Sequence, residues 1–184
     1  MIRSIALMTT LTGAAFLFGG CSASGAGSTA FGMFKNSKAG KLEVDIWLDG
    51  QMAARNKLKQ AATGHSRYKI ATPISTNPSF KFDIKDEETT GRVSYTNVAI
   101  YEVRGSKPSD QPEYIITPTG SGAEAQMKSG QTYSLTNPGP GFRIMNWENK
   151  DVSSVQLKPG KEYMFQFVIR ADDSETAQVW FTTN

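Results

Sequence analysis

Cysteine and histidine are almost absent from this sequence. Cys21 is the single cysteine among 184 residues, and His65 is the single histidine. One cysteine cannot form an internal disulfide or a thiolate metal cage, and one histidine cannot build a multi-histidine zinc site. His65 lies in a polar stretch beside Gly64 and Ser66, which indicates a solvated loop rather than a catalytic base. We therefore expect neither a metal nor a cofactor.

A strong charge excess and a long apolar run are also missing. The formal net charge is +3 and no Lys/Arg cluster concentrates it, so the composition does not predict nucleic-acid binding. The sequence contains no P-loop and no Gly-x-Ser-x-Gly elbow. The apolar run at 5–18 is too short to cross a bilayer of about 30 Å as a stable helix. A positive start at Arg3 followed by such a run is typical of a secretory signal.

The apolar run ends in Leu17-Phe18-Gly19-Gly20-Cys21. This segment resembles the lipobox of bacterial lipoproteins, although Leu usually stands where this sequence has Phe18. In that family signal peptidase II cuts before the cysteine, whose thiol takes a diacylglyceryl group and whose new amine is usually acylated, commonly with palmitate. The resemblance implies a signal peptide at 1–20 and lipidation of Cys21. Because one acyl chain binds a membrane only marginally, stable anchoring needs two or three chains.

The residues after Cys21 refine the expected location. Ser22 rather than Asp follows the cysteine, and the sorting rules of the family then imply the outer membrane if the host is Gram-negative. Residues 21–40 are rich in Ser, Gly and Ala, which is typical of a flexible tether. An alternative is cleavage by signal peptidase I after Ala23, which would release a soluble periplasmic product. A buried N-terminal helix is a third interpretation, and the small-residue tract disfavours it.

From residue 41 onward, apolar side chains recur at every second position, as in β-strands with one buried face. This alternation occurs at 41–48, 80–85, 92–103, 163–170 and 176–182. Turn residues such as Asp49-Gly50 and Pro159-Gly160 separate the segments. The pattern predicts one all-β domain at 41–184, an antiparallel β-sandwich of immunoglobulin or fibronectin III type.

Two local features modify this prediction. In the segment at 92–103 the apolar residues change from odd-numbered to even-numbered positions near Asn97, so we expect a β-bulge there. Residues 51–62 form the single candidate helix, with Ala53, Ala54, Leu58 and Ala61 on a thin apolar face.

The segment Leu157-Lys158-Pro159-Gly160-Lys161-Glu162-Tyr163 resembles the end of a fibronectin type III domain. In such sandwiches a Leu-x-Pro-Gly-x-x-Tyr turn leads into the penultimate strand, and the tyrosine hydroxyl bonds back to nearby backbone. The resemblance covers about 25 residues and implies a structural role for Tyr163. The same Gly-x-x-Tyr form ends at Tyr133. We interpret it as a second, independent turn into a strand rather than a repeat.

Two acidic groups and three tryptophans are the candidate sites. The acidic groups, Asp83, Asp86, Glu87, Glu88 and Asp172, Asp173, Glu175, lack EF-hand spacing, so we interpret them as solvated turns rather than calcium sites. Trp47 and Trp180 fall on the polar faces of their strands, and Trp147 follows a Gly/Pro-rich loop. Exposed aromatics there could stack on sugars or anchor a partner. Burial under a covering segment is the alternative, and we favour it.

Together these features predict a membrane-anchored envelope lipoprotein that acts as a non-enzymatic binding or assembly module. Its expected partners are the membrane, through Cys21, and an envelope protein or a carbohydrate at the tryptophans. An envelope glycan hydrolase is the alternative, and it requires two carboxylates facing each other across a cleft.

Overall fold

The computed structural model describes residues 43–56, 65–85, 95–120, 126–170 and 174–184. Within these ranges every helix or strand element is a β-strand, and the strands form two sheets that pack as a sandwich. The all-β prediction is therefore confirmed. The predicted signal peptide, Cys21 and the tether lie outside the described residues. In the part that is described, no helix is long and apolar enough to cross a membrane.

The strands follow one another in chain order, and two short ones join different sheets early in the chain. Their bounds are β1 Val44–Leu48, β2 Gln51–Met52, β3 Ala54–Arg55, β4 Ser66–Lys69, β5 Ser79–Ile84, β6 Tyr95–Arg104, β7 Lys107–Pro108, β8 Tyr114–Pro118, β9 Thr132–Ser134, β10 Phe142–Asn146, β11 Asp151–Val152, β12 Glu162–Arg170 and β13 Ser174–Thr182.

The small sheet has the order β2-β1-β5-β9, and the large sheet has the order β11-β10-β8-β6-β12-β13-β4-β3 with β7 attached to β6. The β4 strand runs parallel to β13. The other pairs of described strands are antiparallel. The parallel pair brings an early segment of the chain beside the last strand.

The core lies between the two sheets and is rich in phenylalanine. Ile46, Phe80 and Phe82 of the small sheet are fully buried, as are Phe165 and Phe167 of the large sheet. The Phe80 ring meets Phe165 and Phe167 edge-on, with centroids 4.8 and 5.3 Å away. Edge-to-face contact is a favoured geometry for aromatic pairs. The alternation predicted for these strands is therefore confirmed by their packing.

The helix predicted at 51–62 is wrong for its described part. Asp49 and Gly50 both have positive φ, 50° and 72°, as a type I′ turn requires. The turn returns the chain so that Gln51 pairs with Leu48 in the small sheet. After Ala53, the chain crosses to the large sheet as β3. Turn chemistry and strand pairing thus outweigh a weak helical pattern, and residues 57–62 lie outside the described ranges.

The bulge predicted near Asn97 is also wrong. The β6–β12 register runs without interruption from Tyr95 opposite Arg170 to Glu102 opposite Tyr163. The apolar parity shifts because β6 is buried on both faces. Its Val98 side chain faces the small sheet, whereas the adjacent Ala99 belongs to a second buried cluster on the other face.

Two tyrosine turns of the same design lead into the two sheets. Tyr163 at the start of β12 is buried, and its hydroxyl accepts a hydrogen bond from the Lys158 backbone N–H at 3.0 Å. Tyr133 in β9 accepts the equivalent bond from Lys128. The glycine three positions before each tyrosine has positive φ, 69° before Tyr163 and 78° before Tyr133, a conformation that glycine adopts without steric cost. The structural role predicted for both tyrosines is confirmed.

Candidate functional site

The three tryptophans lie on three separate surfaces. Trp47 is partly buried on the outer face of the small sheet, with the Lys81 ammonium 3.9 Å from its ring centroid. Trp180 is partly buried on the outer face of the large sheet. Trp147 follows β10 in a turn and is 56% exposed. The favoured interpretation of burial is therefore wrong for Trp147.

No single aromatic platform joins these rings. Trp180 lies on β13 and Trp147 next to β10, four strand positions away in the large sheet. At about 4.8 Å per strand, that separation is roughly 19 Å. Trp47 is on the opposite sheet. The candidate set thus divides into independent positions. Trp147 and Trp180 each line a pocket, and the pocket at Trp180 is the one of these two that cationic side chains also line.

The Trp180 pocket is built by strand alternation on β13 and β4. Val179 and Phe181 are buried in the core, so Trp180 points to the outer face. Tyr68 is buried in the same way, which places its neighbours Arg67 and Lys69 on that face. A concavity of about 200 Å³ results, lined by Asn56, Arg67, Tyr68, Lys69, Ser106, Glu162 and Trp180.

The pocket combines an indole wall with charges of both signs. The Arg67 guanidinium carbon lies 5.6 Å from the centroid of the Trp180 ring, a cation–π distance. Lys69 pairs with Trp180 in the parallel register and is exposed. Glu162 contributes a carboxylate at the start of β12. The pocket therefore carries two cations and one anion around an aromatic surface.

Two buried donors in this pocket lack partners within the described structure. Arg67 Nε and Trp180 Nε1 are inaccessible to solvent, and neither donates a hydrogen bond to a described residue. Next to them, Gln178 donates to Gln166 Oε1 at 2.8 Å, and its Oε1 is likewise unpaired there. Buried polar groups are normally hydrogen-bonded, and leaving one unpaired costs about 1–3 kcal/mol. Arg143 Nε and Thr176 Oγ1 of the same outer face are also buried without a described partner, so such atoms occur across this face and not at the pocket alone.

His65 lies in a bend before β4, so the predicted loop position is confirmed, but its side chain is not freely solvated. It is partly buried, and its Nδ1 lies 3.3 Å from Gln178 Nε2. It therefore belongs to the polar outer face of the large sheet. The sequence could not show its partial burial, because its contact Gln178 lies 113 positions away in the chain.

Two neighbouring carboxylates of the small sheet, Asp45 and Asp83, are engaged in local contacts. Asp45 and Asp83 are register partners on the outer face of the small sheet. Asp45 contacts the Lys85 ammonium at 2.9 Å, and Asp83 accepts a hydrogen bond from the Ser129 hydroxyl at 3.0 Å. The hydrogen bond and charge of Asp45 raise the pKa of Lys85. Both carboxylates of the pair therefore already have a partner on the sheet face.

Most of the acidic residues proposed for calcium lie outside the described residues. Asp86, Glu87, Glu88, Asp172 and Asp173 fall there, and the side chain of Glu175 is likewise not described. Among the residues that the structure does describe, no group of three or more His, Cys, Asp or Glu could hold a metal ion. The interpretation of both groups as solvated turns stays a prediction.

Comparisons with known proteins add no functional assignment. No protein-family model matches the chain, and no curated protein is significantly similar to it. The function is therefore argued from the chain's own residues. Of the site residues, the sequence pattern singled out Trp180 but missed Arg67 and Lys69, because a strand of four residues is too short to show alternation.

Proposed function

We propose that this chain is a lipid-anchored lipoprotein of the bacterial cell envelope that acts as a non-enzymatic binding module. The observation that carries the binding role is the Trp180 pocket, in which Arg67, Lys69 and an aromatic wall stand on paired strands. The lipobox-like segment ending at Cys21 supports the anchor. The membrane attachment would then hold the sandwich where envelope glycans and proteins are concentrated.

The architecture suits binding better than hydrolysis. A glycoside hydrolase needs one carboxylic acid with a raised pKa and a second carboxylate roughly 5–10 Å away across a groove. Asp45 and Asp83 are close, but they lie side by side on a sheet face and contact Lys85 and Ser129. Envelope glycan hydrolysis through this pair is the weaker candidate function.

The test is binding by the full chain, solubilised in detergent, on a glycan array and in pull-downs from envelope extracts. We expect specific binding to a glycan or capture of a defined envelope protein. The matched variants are Trp180→Phe, which keeps a ring but removes the indole N–H, and Trp147→Phe on the distant turn. Binding should fall at least fivefold for Trp180→Phe and stay unchanged for Trp147→Phe.

Two results would contradict the binding role. The first is an absence of binding in both assays for the folded wild-type chain. The second is breakdown of array glycans that is lost in Asp45→Asn and Asp83→Asn variants, which would favour the hydrolase.

A further inference from the structure

We propose that the Trp180 pocket binds one anionic sugar residue, a pyranose that carries a carboxylate or a phosphate. The inference rests on the proposed binding role and names the chemistry of its ligand. It starts from the two cationic side chains, Arg67 and Lys69, that line the pocket together with the Trp180 ring.

The charge of the pocket determines the sign of the ligand. Arg67 and Lys69 project from adjacent outward positions of β4, and both line the pocket. Arginine binds carboxylate and phosphate groups through charge-assisted hydrogen bonds, which are roughly twice as strong as neutral ones. Because the ring of Trp180 already lies against the guanidinium, the cation is held in place before a ligand arrives. The pocket thus favours an anion at its Arg67 side.

The rest of the pocket favours a ring with hydroxyl groups. The part of the Trp180 ring that lines the pocket beside Arg67 offers an apolar contact for the C–H groups of a sugar ring. The pocket is also lined by Asn56, Ser106 and Glu162. Their amide and hydroxyl groups can donate and accept hydrogen bonds with a polyol, and the carboxylate can accept them. The carboxylate of Glu162 also disfavours ligands of higher negative charge than one phosphate, such as nucleoside di- and triphosphates, because like charges repel at short range.

The size of the pocket limits the ligand to one unit. A volume of about 200 Å³ lies below the ~300–1,000 Å³ typical of pockets for drug-sized molecules. One six-membered ring with its substituents is therefore the appropriate occupant. Longer glycans would extend from the pocket along the sheet surface, since the site lies at the β3–β4 edge.

The experiment measures binding of the detergent-solubilised full chain to four probes by tryptophan fluorescence and calorimetry. The probes are glucuronic acid oligomers, glucose 6-phosphate, glucose oligomers and inorganic phosphate. We expect saturable binding of one or both anionic sugars, at least tenfold tighter than glucose oligomers or inorganic phosphate. The preference between the first two probes identifies carboxylate or phosphate as the anion. Affinity should also fall with added salt, because exposed Lys69 is screened.

Two variants with a matched control locate the site. Arg67→Gln should weaken binding of the anionic sugar at least tenfold, and Lys69→Gln about threefold. Arg143→Gln removes the same charge from the same face of the large sheet, five strands away on β10, and should leave the affinity unchanged. The thermal midpoint of each variant is compared with that of the wild type. Lys69 is exposed, so its variant stays informative if Arg67→Gln is unstable.

Several results would overturn the inference. If glucose oligomers bind as tightly as the anionic sugars, the ligand does not need an anionic group. If inorganic phosphate binds as tightly as the anionic sugars, the ligand does not need a sugar ring. An equal loss of affinity in Arg143→Gln places the site elsewhere. If no probe binds but the chain still captures an envelope protein in pull-downs, the ligand class is wrong while the proposed binding role stands.

Discussion

Asp49 shows how one side chain can join a tight turn to a distant loop. Its two carboxylate oxygens accept backbone hydrogen bonds from Ser75 at 2.8 Å and Ser79 at 3.0 Å. Its own N–H donates to the Ser79 carbonyl at 2.9 Å. Burial raises the pKa of Asp49, but the bonds from Ser75 and Ser79 outweigh it and hold the pKa below the ordinary 3.8. The ionised form is therefore the one that stabilises the fold.

Replacing Asp49 should make the free energy of unfolding less dependent on pH in the acidic range. Because the folded pKa is lowered, the contribution of Asp49 is present above the unfolded pKa and is lost as pH falls through the folded pKa. Asp49→Asn keeps a side chain that tolerates positive φ but has one carbonyl oxygen for two donors. We expect a loss of about 1 kcal/mol at neutral pH, a low value because the turn is partly exposed.

The measurement for Asp49 is urea unfolding of wild type and Asp49→Asn at about pH 7 and about pH 2. The difference in the free energy of unfolding should shrink at the lower pH. Asp49→Ala should cost more at both values, because alanine also strains the left-handed backbone. An equal difference at both pH values would contradict the role of the charge.

At the level of the strands, the two tyrosine turns use the same contact in different surroundings. The bond from Lys158 to Tyr163 lies in a partly buried site, and the Tyr163 ring packs against Phe181 at 5.9 Å. The bond from Lys128 to Tyr133 is exposed. Water can replace the hydroxyl at an exposed site but not at a buried one. The same substitution should therefore have different effects at the two turns.

Tyr163→Phe should lower the free energy of unfolding by about 1–3 kcal/mol, because the Lys158 N–H loses its partner at a partly buried site, which water reaches less easily than the exposed site at Tyr133. Tyr133→Phe is the matched control and should cost less than about 1 kcal/mol. Chemical denaturation of both variants gives the comparison. A larger loss for Tyr133→Phe would show that solvent access does not decide the strength of these contacts.

Strands with clear alternation were predictable, and the others were not. Alternation located β1, β5, β12 and β13, because each is five residues or longer and has one face in the core. It missed β8 and β10, which are as long as β1 but bury adjacent residues on both faces. Strands such as β3 and β11 have two residues, too few for any period. Their pairing depends on neighbours that are distant in sequence. For this reason a helix was predicted at 51–62 where the structure has β2 and β3.

At the level of the molecule, the proposed function joins a lipid anchor to a sandwich with a polar outer face. The anchor prediction is tested by labelling cells that express the full chain with a radioactive or clickable palmitate. We expect label in the wild-type chain and its complete loss in Cys21→Ala, because the thiol is the attachment point for the diacylglyceryl group. Ser22→Ala is the control and should keep the label. An unlabelled wild-type chain would contradict the lipobox interpretation.

The outer face of the large sheet could not be inferred from strand patterns. Alternation predicts a polar face turned to water, yet Gln166, Gln178 and Thr176 are buried on that face. The buried cluster around Ala99 lies on the same side. In a strand that is buried on both faces, apolar residues occupy both odd and even positions. This pattern was interpreted as a bulge near Asn97. Whether the second face of a strand is buried depends on the segments that pack against it. Local periodicity in the sequence carries no information about those segments.

Local residue order was enough to predict the all-β class, the turn at Asp49-Gly50 and the tyrosine turn at Tyr163, because each depends on residues within a few positions of one another. The tertiary structure alone decided that Arg67 lies against Trp180. The two meet through parallel pairing of β4 with β13, and His65 contacts Gln178 across 113 positions of the chain. Such pairings depend on the packing of whole sheets. The pocket could therefore not be predicted without knowing which strands are neighbours.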